Sequence, residues 1–67
     1  MNNNLAEIRK GKGLSHLRLS YLTGVQPTEI SRIETGRLKP YPGWRKRIAR
    51  VLKVSEREIF PEDSDAD

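Results

Sequence analysis

The feature that most constrains the fold of this chain is a pair of short helical segments that meet at Gly24. Ser15 is a typical N-cap residue and predicts a helix over 16–23. Pro27 suits the first turn of a helix, where its missing N–H has no helical partner, so a second helix is predicted over 27–34. Because Gly24 can adopt a positive φ at little steric cost, the two helices can be joined by a sharp turn.

Apolar and small residues lie where two crossing helices need them. Leu19 and Ile30 are expected on the inner faces, and Ser20 is small enough to let the helices approach closely. Val25 fills the corner between them, and Gly36 ends the second helix. A sharp turn with apolar residues on the inner faces only is typical of a helix-turn-helix motif. It leaves the second helix with a polar outer face.

Three more helices and no strand are predicted in the rest of the chain, so the expected fold class is all-α with five helices. Gly11 and Gly13 are expected to end the first helix, in the usual place for a left-handed residue. Two prolines and a glycine predict a loop over 37–43. Ser55 and Glu58 form a capping box that starts the last helix. The expected ranges of the three helices are 4–10, 44–52 and 56 to about 60.

The predicted core consists of apolar residues on the inner faces of these helices. They are Ile8, Leu14, Leu19, Val25, Ile30, Ile33, Ile48, Val51, Leu52 and Phe60. Leu17, Tyr21 and Leu38 do not fit this pattern, and they form an exposed apolar set that suggests a partner surface. For Ile59 and Phe60 two alternatives stay open, a cover for the core or an interface.

Length and composition limit the classes of protein to which the chain can belong. With 67 residues and no cysteine, it is expected to be one domain, 1–67, without a disulfide or a thiolate metal site. It has no apolar run that suits a signal peptide or a membrane span, which predicts a cytoplasmic protein. A single histidine, without a phosphate-binding loop or metal-ligand spacing, predicts no enzyme activity, cofactor, metal or small-molecule ligand.

Positive charge is concentrated in the body of the chain. Residues 1–60 hold all 13 Lys and Arg but only five acidic residues, so their net charge is +8. Residues 62–67 add four acids and are expected to form a disordered tail after an ordered part over about 4–61. The basic body favours a polyanionic partner. The cations of 45–50 in the fourth helix are expected to form a solvated face.

Several spaced segments resemble the lambda-repressor-like family of helix-turn-helix domains, which includes the Cro, repressor and XRE proteins. They are GLS at 13–15, LTGV at 22–25, ISRIETG at 30–36, Pro40 and IARVLKVS at 48–55. The resemblance covers about 5–60 and implies a sequence-specific double-stranded DNA-binding regulator, a repressor, that is nucleoid-associated when bound. It also implies a homodimer on a palindromic operator, with the second motif helix in the major groove.

The resemblance assigns roles to individual residues. Base edges would be contacted by Gln26, Pro27, Thr28, Ser31 and Arg32. Phosphates would be contacted by Arg9, Ser15, His16, Thr35, Arg37 and Lys39. Structural roles fall to Arg9, Ser20, Gly24, Val25, Ile30, Glu34 and Gly36. Among these, Arg9 and Glu34 match a pair that forms a salt bridge in related domains.

The chemistry of these side chains supports some assignments and leaves others open. Arg32 is the best candidate for reading a base, because a guanidinium can bond O6 and N7 of guanine together. Its alternatives are a phosphate contact and an ion pair with Glu29. His16 lies at a predicted helix N-terminus, where free N–H groups favour an anion. Pro27 and Thr28 can contact a thymine methyl group or serve only to start the helix.

One alternative function stays open at this point. The same fold can act as a protein-interaction module, such as an antitoxin or an adaptor. The exposed Leu17 and Tyr21 and the acidic tail would serve it. A test of DNA binding at low and high salt separates the two hypotheses, because binding to phosphates depends strongly on salt.

Overall fold

The computed structural model describes residues 3–61, and this part of the chain is all-α, with five helices and no strand. The helices are α1 Leu5–Gly11, α2 His16–Thr23, α3 Pro27–Glu34, α4 Pro42–Leu52 and α5 Glu56–Ile59. The predicted fold class is confirmed, and α2 and α3 have the predicted bounds. The predicted acidic tail, 62–67, lies outside the described residues.

Local capping explains why α2 and α5 begin where they do. The Ser15 hydroxyl oxygen accepts a hydrogen bond from the backbone N–H of Arg18 at 3.0 Å. Ser55 and Glu58 each accept a hydrogen bond from the other's backbone N–H, both at 3.1 Å. Each cap satisfies N–H groups that have no partner inside the helix. The capping box predicted for α5 is therefore present.

The turn between α2 and α3 depends on two adjacent residues. Gly24 has a φ of 80°, the left-handed conformation that favours glycine. The buried Thr23 hydroxyl donates to the carbonyl of Leu19 at 2.8 Å and accepts from the N–H of Val25 at 3.2 Å. These bonds hold the chain on both sides of the turn, and Val25 is buried in the corner as predicted.

The bounds of α1 and the start of α4 differ from the prediction. Helix α1 runs from Leu5 through Gly11, and the positive φ near its end belongs to Gly13 alone. Helix α4 begins at Pro42 rather than at 44, because proline is tolerated at the first helical position, and it draws the end of the predicted loop into the helix. Helix α4 ends at Leu52 as predicted, and Lys53 follows it in a left-handed conformation, with a φ of 60°. Helix α5 ends at Ile59, one residue before Phe60.

The core lies between all five helices. Its buried apolar residues are Leu5, Leu19, Val25, Ile30, Ile33, Ile48, Ala49, Leu52, Ile59 and Phe60. Helix α2 packs against α3 and α4, α1 packs against α3, and α4 packs against α5. The backbone N–H of Asn4 donates to the carbonyl of Ile59 at 2.8 Å, which joins the start of α1 to α5. Ile59 and Phe60 therefore belong to the core and offer no free apolar surface.

The predicted core differs from the observed one at its margin. Ile8, Leu14 and Val51 are only partly buried, whereas Leu5, absent from the prediction, is fully buried. Leu38 was expected to be exposed, but it is partly buried against the core. Leu14 and Leu38 lie between helices, and for all of these residues the helical period alone does not determine how much a neighbour covers them.

Arg45 departs from the expected solvated face of α4, whereas Lys46, Arg47 and Arg50 are exposed as expected. The Arg45 guanidinium lies 5.2 Å from the centre of the Phe60 ring, and its Nε lies 3.4 Å from Glu56 Oε1. A long side chain can cover apolar surface with its stem while its charge finds a partner. Arg45 therefore helps to hold α5 on α4.

Candidate nucleic-acid interface

Helix α3 has one buried side and one exposed polar side. Ile30 and Ile33 are fully buried, which fixes the rotation of the helix about its axis. Four polar side chains face solvent on the other side, and we call this surface the α3 face. Its residues are Thr28, Ser31, Arg32 and Thr35.

The start of α3 leaves Gln26 unused by the helix. Gln26 is the N-cap residue and has an extended backbone, but its side chain makes no capping hydrogen bond. Pro27 follows at the first helical position and is half-buried, while Gln26 is exposed. The amide of Gln26 is therefore not required for helix capping and can bond to another molecule.

The end of α3 directs two cations into solvent. The N–H groups of Arg37 and Leu38 donate to the carbonyl of Arg32 at 2.8 and 3.2 Å, which wraps the chain around the helix end. Beyond this wrap, burial alternates: Arg37 and Lys39 are exposed, whereas Leu38 is half-buried and Pro40 is buried. The inward residues anchor the segment, so both cations stand beside the end of the α3 face.

The cations of this surface have no ion-pair partner within residues 3–61. The ion pairs of that range involve Arg9, His16 and Arg45, and none involves Arg32, Arg37 or Lys39. In particular, no pair joins Arg32 to Glu29, which was one alternative role for Arg32. A cation without a protein partner can bind a phosphate or a base without first breaking an ion pair.

The buried carboxylate of Glu34, the last residue of α3, joins three helices. We call Arg9, His16 and Glu34 the Glu34 cluster. Arg9 Nε donates to Glu34 Oε2 at 2.6 Å, and His16 Nε2 is hydrogen-bonded to Glu34 Oε1 at 2.8 Å. Arg9 Nη1 also donates to the carbonyl of Leu14 at 2.7 Å. The cluster ties α1 and the first residue of α2 to the last residue of α3.

The surroundings of Glu34 keep its carboxyl group charged. Burial raises the pKa of Glu34, but hydrogen bonds from Arg9 and His16 and the charges of these two residues lower it. The lowering effects are larger in sum, so the pKa of Glu34 lies below its ordinary value of 4.5. At neutral pH the carboxylate is therefore available as an acceptor for both partners.

The burial of Arg9 speaks against one of its two expected roles. The Arg9 and Glu34 side chains are 7% and 8% exposed, so this pair is internal, and the structure joins the two residues that the resemblance had paired. The Arg9 guanidinium already serves Glu34 and Leu14, which leaves it covered rather than aimed at a phosphate. We therefore remove Arg9 from the phosphate candidates and keep its structural role.

The remaining phosphate candidates differ in whether hydrogen bonds within the protein already engage their side chains. His16 is 42% exposed, but its Nε2 is occupied by Glu34. Ser15 is exposed, and its hydroxyl oxygen caps α2. The Thr35 hydroxyl donates to the carbonyls of Ser31 and Arg32, both at 3.2 Å. Only Arg37 and Lys39 present side chains that no hydrogen bond or ion pair within 3–61 engages.

Sequence reasoning missed Arg47 at the turn of the motif. Its Nη1 donates to the carbonyl of Thr23 at 3.5 Å, and the same atom lies 3.5 Å from the place of a Cβ on Gly24. Arg47 therefore lies against the end of α2 and the glycine of the turn that follows it. No sequence signal could have placed it there, because the contact depends on how α4 packs against α2.

Residues 3–61 contain neither a metal-binding cluster nor a membrane-spanning helix. No group of three or more His, Cys, Asp or Glu side chains in this range could hold a metal ion. No helix in the same range is long and apolar enough to span a membrane.

The chain matches a known family of domains. A family model described as a helix-turn-helix domain matches residues 3–59, which includes all five helices. No curated protein matches the chain.

Proposed function

The chain belongs to the helix-turn-helix domain family, and we propose that it is a sequence-specific double-stranded DNA-binding regulator of transcription, of the lambda-repressor-like kind. It inserts α3 into the major groove and represses by covering the operator. The proposal also implies that the protein is cytoplasmic and that it is nucleoid-associated when bound to DNA.

The observation that carries the proposal is the α3 face together with the free cations beside it. The polar side of α3 is held outward by buried Ile30 and Ile33, and the end of the helix is followed by exposed Arg37 and Lys39. The major groove of B-DNA is about 12 Å wide and admits one α-helix. A helix with a polar outer face and unpaired cations beside its end matches a groove bordered by phosphates in both shape and charge.

The proposed division of roles follows from exposure and chemistry. Arg32 binds the edge of a guanine, and the other base-facing side chains determine which bases are accepted at neighbouring positions. These residues are Gln26, Pro27, Thr28 and Ser31. Phosphates are gripped mainly by Arg37 and Lys39, with Thr35, Ser15 and His16 at the margins. Phosphate contacts set the position of α3, and base contacts set the specificity.

Two copies are proposed to bind one palindromic operator, with half-sites about one helical turn, ~34–36 Å, apart. Ile59 and Phe60 are buried in a single copy, so α5 brings no free apolar side chain of its own to a dimer contact. We therefore propose that pairing takes place on the operator, where the DNA holds both copies close together.

The alternative of a protein-interaction module is favoured by a specific observation, the exposure of Leu17 and Tyr21 on α2. An antitoxin or an adaptor would use such a surface as its main function. In that case binding to DNA would be weak and nonspecific.

The experiment that tests the proposal is a selection of bound sequences from a random duplex library, followed by titration of the selected site. If two copies neutralise ~6–10 phosphates, affinity falls ~10³–10⁵-fold between about 50 and 200 mM salt. The proposal also requires the selected site to bind more tightly than random duplex at the same salt. No enrichment, with a flat response to salt, would contradict it and favour the protein-interaction module.

A further inference from the structure

Helix α2 exposes two large apolar side chains on the side opposite the core. Leu17 is 71% exposed and Tyr21 is 78% exposed, and the two are four residues apart, so they are neighbours on the helix surface. Leu19, two residues after Leu17, and Thr23, two residues after Tyr21, are buried. At about 100° per residue, this spacing places the exposed pair nearly opposite the buried pair.

The exposed pair borders a small hollow. Ser15, Leu17, Arg18 and Tyr21 line an open hollow of about 370 Å³. The Arg18 guanidinium lies 5.5 Å from the centre of the Tyr21 ring, a distance at which the cation and the ring attract each other. This contact restrains the ring and places a positive charge at the edge of the apolar surface. We call Leu17, Arg18 and Tyr21 the α2 patch.

The other large exposed apolar residues within 3–61 do not form such a surface. Tyr41 packs edge-to-face on Trp44, with ring centres 4.7 Å apart. Leu22 is less exposed than Leu17 and Tyr21 and does not line the hollow. A single exposed leucine is common in proteins, but two adjacent large apolar side chains beside a hollow are typical of a contact surface.

We propose that the α2 patch binds an acidic segment of another protein, one that carries a large apolar side chain among carboxylates. The apolar side chain fills the hollow between Leu17 and Tyr21, and a neighbouring carboxylate pairs with Arg18. Arg18 is the one charged residue that lines the hollow, and residues 1–60 have a net charge of +8. Both the local and the overall charge therefore select an acidic partner.

Two other occupants fit this surface less well. A second copy would place Arg18 against Arg18 and one basic body against another, which opposes association. The chain's own residues 62–67, Glu-Asp-Ser-Asp-Ala-Asp, have the complementary charge but no apolar side chain larger than alanine. They cannot fill the hollow.

The α2 patch and the α3 face are separate surfaces. His16 bonds to Glu34 of α3, whereas Leu17 and Tyr21 are exposed on the side of α2 opposite the buried Leu19 and Thr23. The inference does not depend on DNA binding.

The test uses the full chain, labelled with ¹⁵N, and a synthetic amphipathic peptide with leucines on one face and glutamates elsewhere. The amide signals of Leu17, Arg18 and Tyr21 are expected to shift and to saturate. Tyr21→Ala is expected to weaken the peptide about tenfold, because the ring buries a large apolar area on binding. Leu22→Ala is the matched control, on the same helix but outside the hollow, and it is expected to bind the peptide as the unchanged chain does.

A second variant tests the choice of charge. Arg18→Glu is expected to lose the glutamate peptide and to bind its lysine counterpart better than the unchanged chain does. Each variant introduces alanine or glutamate, which favour a helix, at an exposed position. Circular dichroism should therefore show an unchanged fold. Tyr21 lies outside the α3 face and its replacement keeps the charge of the chain, so the DNA titration of Tyr21→Ala is expected to be unchanged, which separates this inference from the proposed function.

Three results would overturn the inference. A peptide with serines in place of its leucines could bind equally well, which would reduce the contact to charge alone. The signals of the α2 patch could shift with protein concentration without any peptide, which would make the patch a contact between two copies. Peptide binding could also survive both Tyr21→Ala and Arg18→Glu, with shifts confined to the α3 face.

Discussion

Arg9 and Arg32 carry the same guanidinium group on two sides of one small bundle, but their surroundings are opposite. Arg9 is buried in the Glu34 cluster, with a carboxylate and a carbonyl as partners. Arg32 is exposed on the α3 face and has no ion pair within residues 3–61. Among the 13 cations of this chain, burial and pairing, rather than charge, separate those that hold the fold from those that are free to meet DNA.

The largest expected effect lies on the buried side of this comparison. Arg9→Met removes the main partner of a buried carboxylate and should lower the free energy of unfolding by about 3–5 kcal/mol. Urea denaturation followed by circular dichroism measures it. Lys10→Met, the neighbouring exposed cation on α1, is the control and should change the stability little. If both variants were equally stable, the cluster would not be holding the three helices together.

On the exposed side the largest effect should be on DNA affinity. Arg32→Ala should weaken the selected site by ~1–3 kcal/mol, because a bidentate contact to guanine is lost. The same variant should unfold at the same urea concentration as the unchanged chain, since the side chain is exposed and unpaired. An unfolding midpoint shifted as far as that of Arg9→Met would erase the distinction between the two arginines.

Lys39→Ala should have a smaller and more uniform effect. A phosphate looks the same at every step of the duplex, so the selected site and random DNA should weaken by similar factors. The slope of log affinity against log salt should fall by ~0.9 for each protomer bound. Titrations at several salt concentrations measure this slope. A loss confined to the selected site would instead assign Lys39 to base reading.

The smallest effect expected is a pH dependence of stability that arises at Glu34. Its pKa is lower in the folded chain than its ordinary value of 4.5, so the unfolded chain binds the proton first as the pH falls. The stabilisation is therefore complete above 4.5 and is lost as the pH drops through the lower folded-state pKa. Glu34→Gln should remove this part of the slope, whereas Glu7→Gln, at an exposed position on α1, should leave it in place.

The pH experiment fails in a recognisable way. If Glu34→Gln and the unchanged chain lost stability along parallel curves below pH 4.5, the acid sensitivity would arise elsewhere. The hydrogen bonds from Arg9 and His16 would then have little effect on the pKa of the Glu34 carboxyl group.

Local signals predicted the motif well. Ser15, Gly24 and Pro27 each act on their own turn of the chain, so the bounds of α2 and α3 could be predicted from sequence. The pairing of Arg9 with Glu34 came from the resemblance alone, because no rule of spacing joins residues so far apart in the chain.

Contacts between helices account for what sequence could not predict. Arg45 packs on Phe60, His16 bonds to Glu34, and Arg47 reaches the carbonyl of Thr23. Each depends on the relative placement of two helices, which a helical period does not specify. The left-handed Lys53 is similar, since nothing about lysine favours that conformation.

The most direct test of the central claim, that exposed Arg32 reads a base, is a cycle of protein and DNA changes. Affinity is measured for the unchanged chain and for Arg32→Ala, each on the selected site and on its single-base variants. At one base pair per half-site, changing the base should cost almost no affinity in Arg32→Ala, which corresponds to a coupling of ~1–3 kcal/mol. At the other base pairs, the affinity costs of the protein change and of the base change should add. Lys39→Ala, as the control, should show no coupling at any base pair. Costs that add at every position for Arg32→Ala would make Arg32 a phosphate contact and contradict the claim.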